Sequence, residues 1–226
     1  MKKTNFWVLI ALLFVNVVSA AAQETSQEER MPIVNGGLKV QANASNFWLK
    51  NIPTNPNLRS TMNAGGELGG FIDFNISKNF FIQFNLMLFA EHSDLHNDNK
   101  KDKMWTLGLE IPVYLLGRYG NPHAGYVYFG GGPFTEFALW GELKGSTAKR
   151  NPYKHIIDGS NPEEEAYAFA DNYSGLAAYI GYELPCRLQF NASYQFGISD
   201  MLLFEHDKST HAHTQKVTLG LAYRFK

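Results

Sequence analysis

Apolar and polar residues alternate with period two over much of this chain, most strictly at its C-terminal end. There Val217, Leu219, Leu221, Tyr223 and Phe225 fall on one face, with Lys216, Thr218, Gly220, Ala222 and Arg224 on the other. Successive side chains of a strand point to opposite faces, so the pattern predicts a strand with one apolar side and one polar or small side. The alternation recurs from about Gly37. Leu38, Val40, Ala42 and Ala44 oppose Lys39, Gln41, Asn43 and Ser45; Leu68, Ile72 and Phe74 oppose Glu67, Phe71 and Asp73. Further strands are predicted around Phe80–Leu88, Trp105–Val113, Tyr126–Leu139, Leu176–Tyr182 and Leu188–Phe196, with Tyr126–Leu139 the least regular. With the C-terminal stretch they number eight.

The connections alternate in length. Long polar linkers are predicted near Phe47–Thr61, His92–Asp102, Gly141–Asn172 and Ser199–Thr214, and short ones at Ile76–Asn79, Gly117–Ala124 and Pro185–Cys186. Short periplasmic turns and longer outer loops are the rule for outer-membrane barrels. The expected fold is therefore all-β, an eight-stranded antiparallel transmembrane β-barrel with both termini periplasmic. Asn161-Pro162 followed by Glu163, Glu164 and Glu165 suggests a short loop helix reaching about Phe169. Trp48, Trp105 and Trp140 fall at the outer ends of their strands, as expected of an interfacial aromatic girdle. Phe80, Tyr182, Tyr223 and Phe225 would form the inner one.

The N-terminus reads as an export signal: Lys2 and Lys3, then an apolar run from Phe6 to Val15, then small residues around Ala20–Ala22. The expected organisation is a signal peptide over 1–22, a short periplasmic segment over 23–36 and the barrel over 37–226. No other run approaches the ~20 apolar residues a spanning helix needs, which excludes a helical inner-membrane protein. Aromatics make up 14% of residues while mean hydropathy is slightly negative, a mixture that suits strands whose two faces differ. Net charge is −1, so there is no electrostatic case for nucleic acid. Cys186 is the single cysteine and can form no internal disulfide.

Four segments carry a family resemblance: LGLEIPVYLL at 107–116, GGGP at 130–133, YQFGISDML at 194–202 and the closing GLAYRF. Together they resemble the PorT-type outer-membrane β-barrel family over essentially the whole mature chain. The resemblance implies an eight-stranded barrel in the outer membrane of a Gram-negative bacterium. Some members are similar to accessory components of secretion or gliding machinery. It carries over no functional residue.

Eight strands enclose an interior that side chains just fill. Lys39, Asp73, Glu183, Arg187 and Arg224 map near the periplasmic end of that interior and could pair charge for charge. Glu67, Glu110 and Glu136 map higher, with Lys216 the only evident basic partner. Either an outer loop dips in, or some of these carboxyls stay protonated. Six histidines (His92, His96, His155, His206, His211 and His213) fall in predicted outer loops, and His211-Ala212-His213 could ligate a transition metal. Without CxxC or HExxH, no metal site and no cofactor are assigned. Ser193 is the only convenient interior nucleophile and has no histidine at its depth, so no catalytic residue is expected. Pro112 and Pro133, in neighbouring strands, predict a local irregularity.

The function expected is a small closed barrel serving structure, assembly or partner binding through its outer loops. Its partners would be outer-membrane lipid, the barrel-assembly machinery during insertion, and a protein or surface partner at the loops. The alternatives are a small porin, a lipid-modifying barrel enzyme, and a soluble exported barrel.

Overall fold

The computed structural model describes residues 33–50, 59–97, 100–144, 149–153, 169–201 and 211–225. They form ten strands: β1 (Val34–Lys50), β2 (Arg59–Thr61), β3 (Asn63–Asn75), β4 (Phe80–Asn97), β5 (Lys100–Asn121), β6 (Gly125–Lys144), β7 (Lys149–Arg150), β8 (Asn172–Glu183), β9 (Leu188–Gly197) and β10 (His211–Arg224). Eight of them, β1, β3, β4, β5, β6, β8, β9 and β10, are long, and each pairs antiparallel with the next. β10 returns to β1 in an unbroken ladder from Gly37↔Arg224 to Lys50↔His211. The sheet therefore closes as a ring of eight with no edge, and every backbone group in the wall can be satisfied without water. β2 and β7 are short extensions at the rim that carries the long connections, paired with β4 and β6.

The two faces of the wall differ in kind. Leu38, Val40, Leu68, Ile72, Leu86, Leu88, Ile180, Leu219 and Leu221 are exposed on the outside. Lys39, Gln41, Asn43, Glu67, Asp73, Gln83, Asn85, Glu110, Gln189, Asn191, Gln195 and Arg224 are buried inside. From Leu38 to Trp48 the strand covers about 33 Å at ~3.3 Å per residue. At a tilt of ~40° that gives a height of about 25 Å, which matches the apolar band of an outer-membrane barrel. An apolar outside around a polar inside is the reverse of what a soluble barrel requires.

Three short connections lie at one end, and local chemistry sets each. At 121–125, Asn121 Oδ1 accepts from His123 N at 3.0 Å and Ala124 N at 2.8 Å. Gly125 follows at φ +97°, where a Cβ would lie 2.3 Å from Glu183 O, a position no side chain could share. At 76–79, Ser77 Oγ accepts from Phe80 N at 3.2 Å. At 184–187, Leu184 N donates to Leu188 O at 2.8 Å, and Arg187 takes φ 71° to complete the turn.

The outer end departs from the sequence reading. β4 runs on to Asn97 and β5 starts at Lys100, so the long linker expected over His92–Asp102 is mostly a continued hairpin. β1 likewise extends to Lys50, β6 to Lys144, and β10 begins at His211. His92, His96, His211 and His213 therefore lie on strands; His155 and His206 lie outside the described residues, as does the expected helix before Phe169. The cause is that alternation persists above the membrane with polar residues on its outer face, as in His92, Asp94 and His96, and so imitates a loop. β1 starts at Val34, three residues before the Gly37 boundary.

The irregularity in β5 and β6 has two parts. Pro112 leaves the β4–β5 ladder open between Phe84↔Val113 and Met87↔Glu110, and Asn85 Nδ2 donates to the Pro112 carbonyl at 3.3 Å. The β5–β6 ladder is likewise open between Pro112↔Phe134 and Leu115↔Gly131 without a change of register. The register shift lies higher, between Leu107↔Trp140 and Gly108↔Ala138, where Leu139 is the extra residue. Because of this bulge, Leu139 and Trp140 both face outward; strict alternation would have sent Trp140 inside.

Candidate functional site: the barrel interior

The interior is filled in four layers from the end with the short turns upward. The lowest pairs Arg224 Nη2 with Asp73 Oδ2 at 2.8 Å and with Glu183 Oε2 at 3.2 Å. Gln83 Nε2 donates to Asp73 at 2.8 Å and Gln189 Nε2 to Glu183 at 3.0 Å, so each carboxylate has a second partner. Arg118 joins from β5. Its guanidinium lies 4.5 Å over the Phe81 ring, which Arg224 also approaches at 5.9 Å. Arg224 thus bridges two carboxylates and shares the Phe81 ring with Arg118.

Aromatic rings form the next layer. Tyr114 stacks on Tyr179 at 4.7 Å and Tyr128 on Tyr179 at 6.0 Å, while Phe81 meets Tyr128 edge-on at 6.1 Å. Lys39 lies 4.8 Å over the Tyr179 ring and donates to Asn85 Oδ1 at 2.6 Å and Gln83 Oε1 at 3.1 Å. The charge-for-charge pairing expected of Lys39 is not what the structure has. Amide oxygens and ring faces solvate the ammonium instead. Glycines make the room: a Cβ at Gly181 would strike the Tyr128 ring.

The third layer centres on Lys216. Its Nζ lies 2.5 Å from Glu136 Oε1, 3.0 Å from Glu110 Oε2, 3.6 Å from Glu67 Oε1 and 3.7 Å from Glu91 Oε2. The ring of Phe89 closes one side at 4.5 Å. Gln195 Nε2 donates to Glu110 at 2.6 Å, Asn43 Nδ2 to Glu67 at 2.8 Å, and the Tyr173 hydroxyl to Glu136. Four strands deliver the carboxyls and β10 delivers the one ammonium. Ser193 lies just outside this group, its hydroxyl bonded to Thr218 Oγ1 at 2.7 Å.

An apolar cap, which the sequence reading missed, forms the fourth layer. Leu95, Met104, Leu143, Phe169, Met201 and Ala212 are buried together at the mouth opposite the short turns, with Phe47, Leu49 and Tyr153 against them. Loop segments are drawn across the opening by backbone bonds: Phe169 N to Pro152 O at 3.0 Å, Ala170 N to Met201 O at 2.7 Å, and Met201 N to Ala212 O at 3.1 Å. Tyr153 shares a 2.8 Å hydrogen bond with Thr106 and fills the space beside Gly141. Burial pushes the Tyr153 phenol well above its ordinary pKa, so it stays neutral. A loop does dip in over the glutamates. The signal available for it was the inward parity of Leu95, Met104 and Leu143 within stretches read as polar.

Around the outside, Trp48, Trp105 and Trp140 are half-exposed near the outer end, and Tyr223 and Phe225 near the other. Trp105 stacks on its cross-strand neighbour His92 at 4.9 Å. His211 Nδ1 lies 3.1 Å from Asp200 Oδ2, and His213 packs between Trp48 and Phe196. Among the described residues no group of three His, Cys, Asp or Glu side chains is arranged to hold a metal ion. A notch of about 290 Å3, lined by Asn46, Trp48, Arg59 and Gln215, indents the rim where β1 parts from β2.

A family model described as "outer membrane protein beta-barrel domain" matches residues 9–225. Among solved structures, Ail, the attachment invasion locus protein of Yersinia pestis, in complex with the heparin analogue sucrose octasulfate, is 12% identical with a TM-score of 0.44. The match covers 86% of this chain and 100% of that one. OprG from Pseudomonas aeruginosa is 13% identical with a TM-score of 0.44, covering 85% and 94%. Neisserial surface protein A is 8% identical with a TM-score of 0.43, covering 84% and 97%. No curated protein sequence matches.

Proposed function

Because the chain belongs to the outer membrane protein beta-barrel domain family, we propose that it works as a closed barrel. Its body anchors it in the outer membrane, and its outer strands and loops engage a partner. The observation that carries this reading is the filled interior. Two charge clusters, a tyrosine layer and an apolar cap occupy the bore in succession. That leaves little room for a water-filled path, which in porins takes ~16–18 strands. The barrel has no catalytic role in this reading, since Ser193 is bonded to Thr218 and no histidine among the described residues shares its depth. Residues 1–22 act as the export signal, the short turns and both termini face the periplasm, and Trp48, Trp105, Trp140, Tyr223 and Phe225 mark the two membrane interfaces. The closer kinship to PorT-type barrels rests on the four sequence segments alone.

Photocrosslinkers at outer-strand position Asp94 and at turn position His123 test the partner reading in intact cells. Discrete protein adducts are expected from the outer position once assembly is complete. Adducts at His123 alone would place the partner in the periplasm and refute the outer-surface assignment.

A further inference from the structure

The wall parts above Ser45. β1 pairs with β3 only as far as Ser45↔Asn63, while the residues just before β3 swing away as β2 and pair with β4 from Arg59↔His96 to Thr61↔Asp94. β1 itself continues beside β10 up to Lys50↔His211. One edge of β1 has thus lost its strand partner, and a side chain spans the gap: Ser60 Oγ accepts from Phe47 N at 3.1 Å. The notch of about 290 Å3 lies here. Its lining differs from the lipid-facing wall beneath it. Below the notch the outward positions of β1 and β10 are Leu38, Val40, Ala42 and Ala44, and Val217, Leu219, Leu221 and Tyr223. Next come Asn46 and Gln215, directly opposite each other. Acyl chains would leave both amides without hydrogen bonds. Asn46 Oδ1 is shut off from solvent and accepts no hydrogen bond, a condition few native polar atoms tolerate.

Arg59 and Trp48 complete the lining. Arg59 is exposed, and none of the described residues around the notch is acidic. Asp94, diagonal to Arg59 across the β2–β4 ladder, is taken up by His92 at 3.1 Å. Trp48 is half-exposed, with Phe196 tilted against it at 6.0 Å. We propose that this notch binds a single acidic sugar ring, with the anionic group on the Arg59 guanidinium and the apolar face of the ring against Trp48. A guanidinium presents paired donors to a carboxylate or phosphate. The two amides offer donors and acceptors together, which is what sugar hydroxyls need. The negative face of an indole suits the C–H face of a sugar ring. The notch lies at the small end of ligand sites, which run from about 300 to 1,000 Å3, so it takes one ring rather than a chain. Tryptophan anchors sit at headgroup level, so the ring can come from a glycolipid or from a free saccharide. Such a site deepens the outer-surface partner reading above and rests on it.

The test uses the full mature chain in detergent micelles, with its folded state verified by heat-modifiable gel mobility. In a Trp105→Phe/Trp140→Phe background, Trp48 is the one tryptophan left in the mature chain, and its fluorescence reports on the notch. Methyl glucuronide is titrated against methyl glucoside, and glucuronosyl diacylglycerol against glucosyl diacylglycerol. The acidic member should bind about tenfold tighter, the scale of one charge-assisted pair of hydrogen bonds. Arg59→Gln should abolish that preference and Arg59→Lys should keep part of it. Asn46→Leu should weaken the acidic and neutral members alike while leaving the folded band unchanged. A preference in the lipid pair alone assigns the ring to a glycolipid headgroup; a preference in both pairs assigns a sugar that needs no lipid. No preference in either pair, or one that survives Arg59→Gln, would overturn the proposal while leaving the barrel intact. Inorganic phosphate competing as well as methyl glucuronide would also overturn it, since the notch would then hold a bare anion. Failure to fold in detergent would instead count against the barrel reading itself.

Discussion

The two charged layers of the interior both set buried cations against carboxyls, and they solve different problems. Near the end with the short turns Arg224 bridges Asp73 and Glu183, and glutamines complete the carboxylates. Higher up, Lys216 is the one cation among the described residues that pairs with Glu67, Glu91, Glu110 and Glu136. In the lower layer each carboxylate has an amide partner besides Arg224, and two guanidinium groups lie over one Phe81 ring. The upper layer hangs on one side chain. Burying a charge is tolerable only when it is paired, and removing one partner of a buried pair costs far more than the pair contributes. The interior should therefore be far more sensitive at Lys216 than at either arginine.

Substitution at the two layers makes that comparison breakable. Lys216→Met should have the largest effect, at least about 3–5 kcal/mol, because it strands several buried carboxyls at once. The expected outcome is loss of the compact unheated band on gels and little folded protein in the outer membrane. Adding Glu110→Gln and Glu136→Gln to Lys216→Met should restore part of the folded fraction; no restoration would mean that Lys216 acts through packing on Phe89 rather than through charge. Arg224→Met should cost less, about 1–3 kcal/mol, since Gln83 and Gln189 still donate to the same two carboxylates. Urea titration of folding into micelles would rank the two, and a larger loss at Arg224 would reverse the comparison.

The wall provides an intermediate effect. Leu219 is 64% exposed on the outer face of β10, mid-strand. Leu219→Arg should destabilise insertion by about 2–4 kcal/mol, the cost of a cation near the bilayer midplane. A smaller effect is expected at Gly181, where Ala would press on the Tyr128 ring and cost about 1–3 kcal/mol by overpacking. Its companion Gly181→Ala/Tyr128→Phe should stay impaired, because the collision is with ring atoms as well as the hydroxyl. Recovery in the double variant would assign the strain to the hydroxyl alone.

Much of this was legible in the sequence, and the reasons are specific. Side-chain period two decided the faces, so Glu67, Asp73, Glu110, Glu136, Glu183 and Arg224 could be placed on one side before their partners were known. The outer end was harder. Above the membrane the outward residues become polar, so Ser93–Asn97 and Lys100–Met104 lose the lipid-facing signal that had marked the strands below. Lys216 stood out as a possible partner, but its convergence with four carboxyls depends on how β3, β4, β5 and β6 come around to β10, which closure decides and local pattern does not. Trp140 is instructive in another way. Its outward position depends on the bulge at Leu139, which strict alternation does not contain. Lys39 shows the opposite limit: its face was plain, while its choice of amides and rings over carboxylates depends on tertiary geometry.

The filled bore is the central claim, and ion conductance measures it directly. Purified protein reconstituted in planar bilayers should show no stable, porin-sized conductance across the usual voltage range. Cutting Tyr114 to Ala, which opens the stack on Tyr179, should produce at most a small leak. A large and steady conductance from the unmutated protein would contradict the closed barrel.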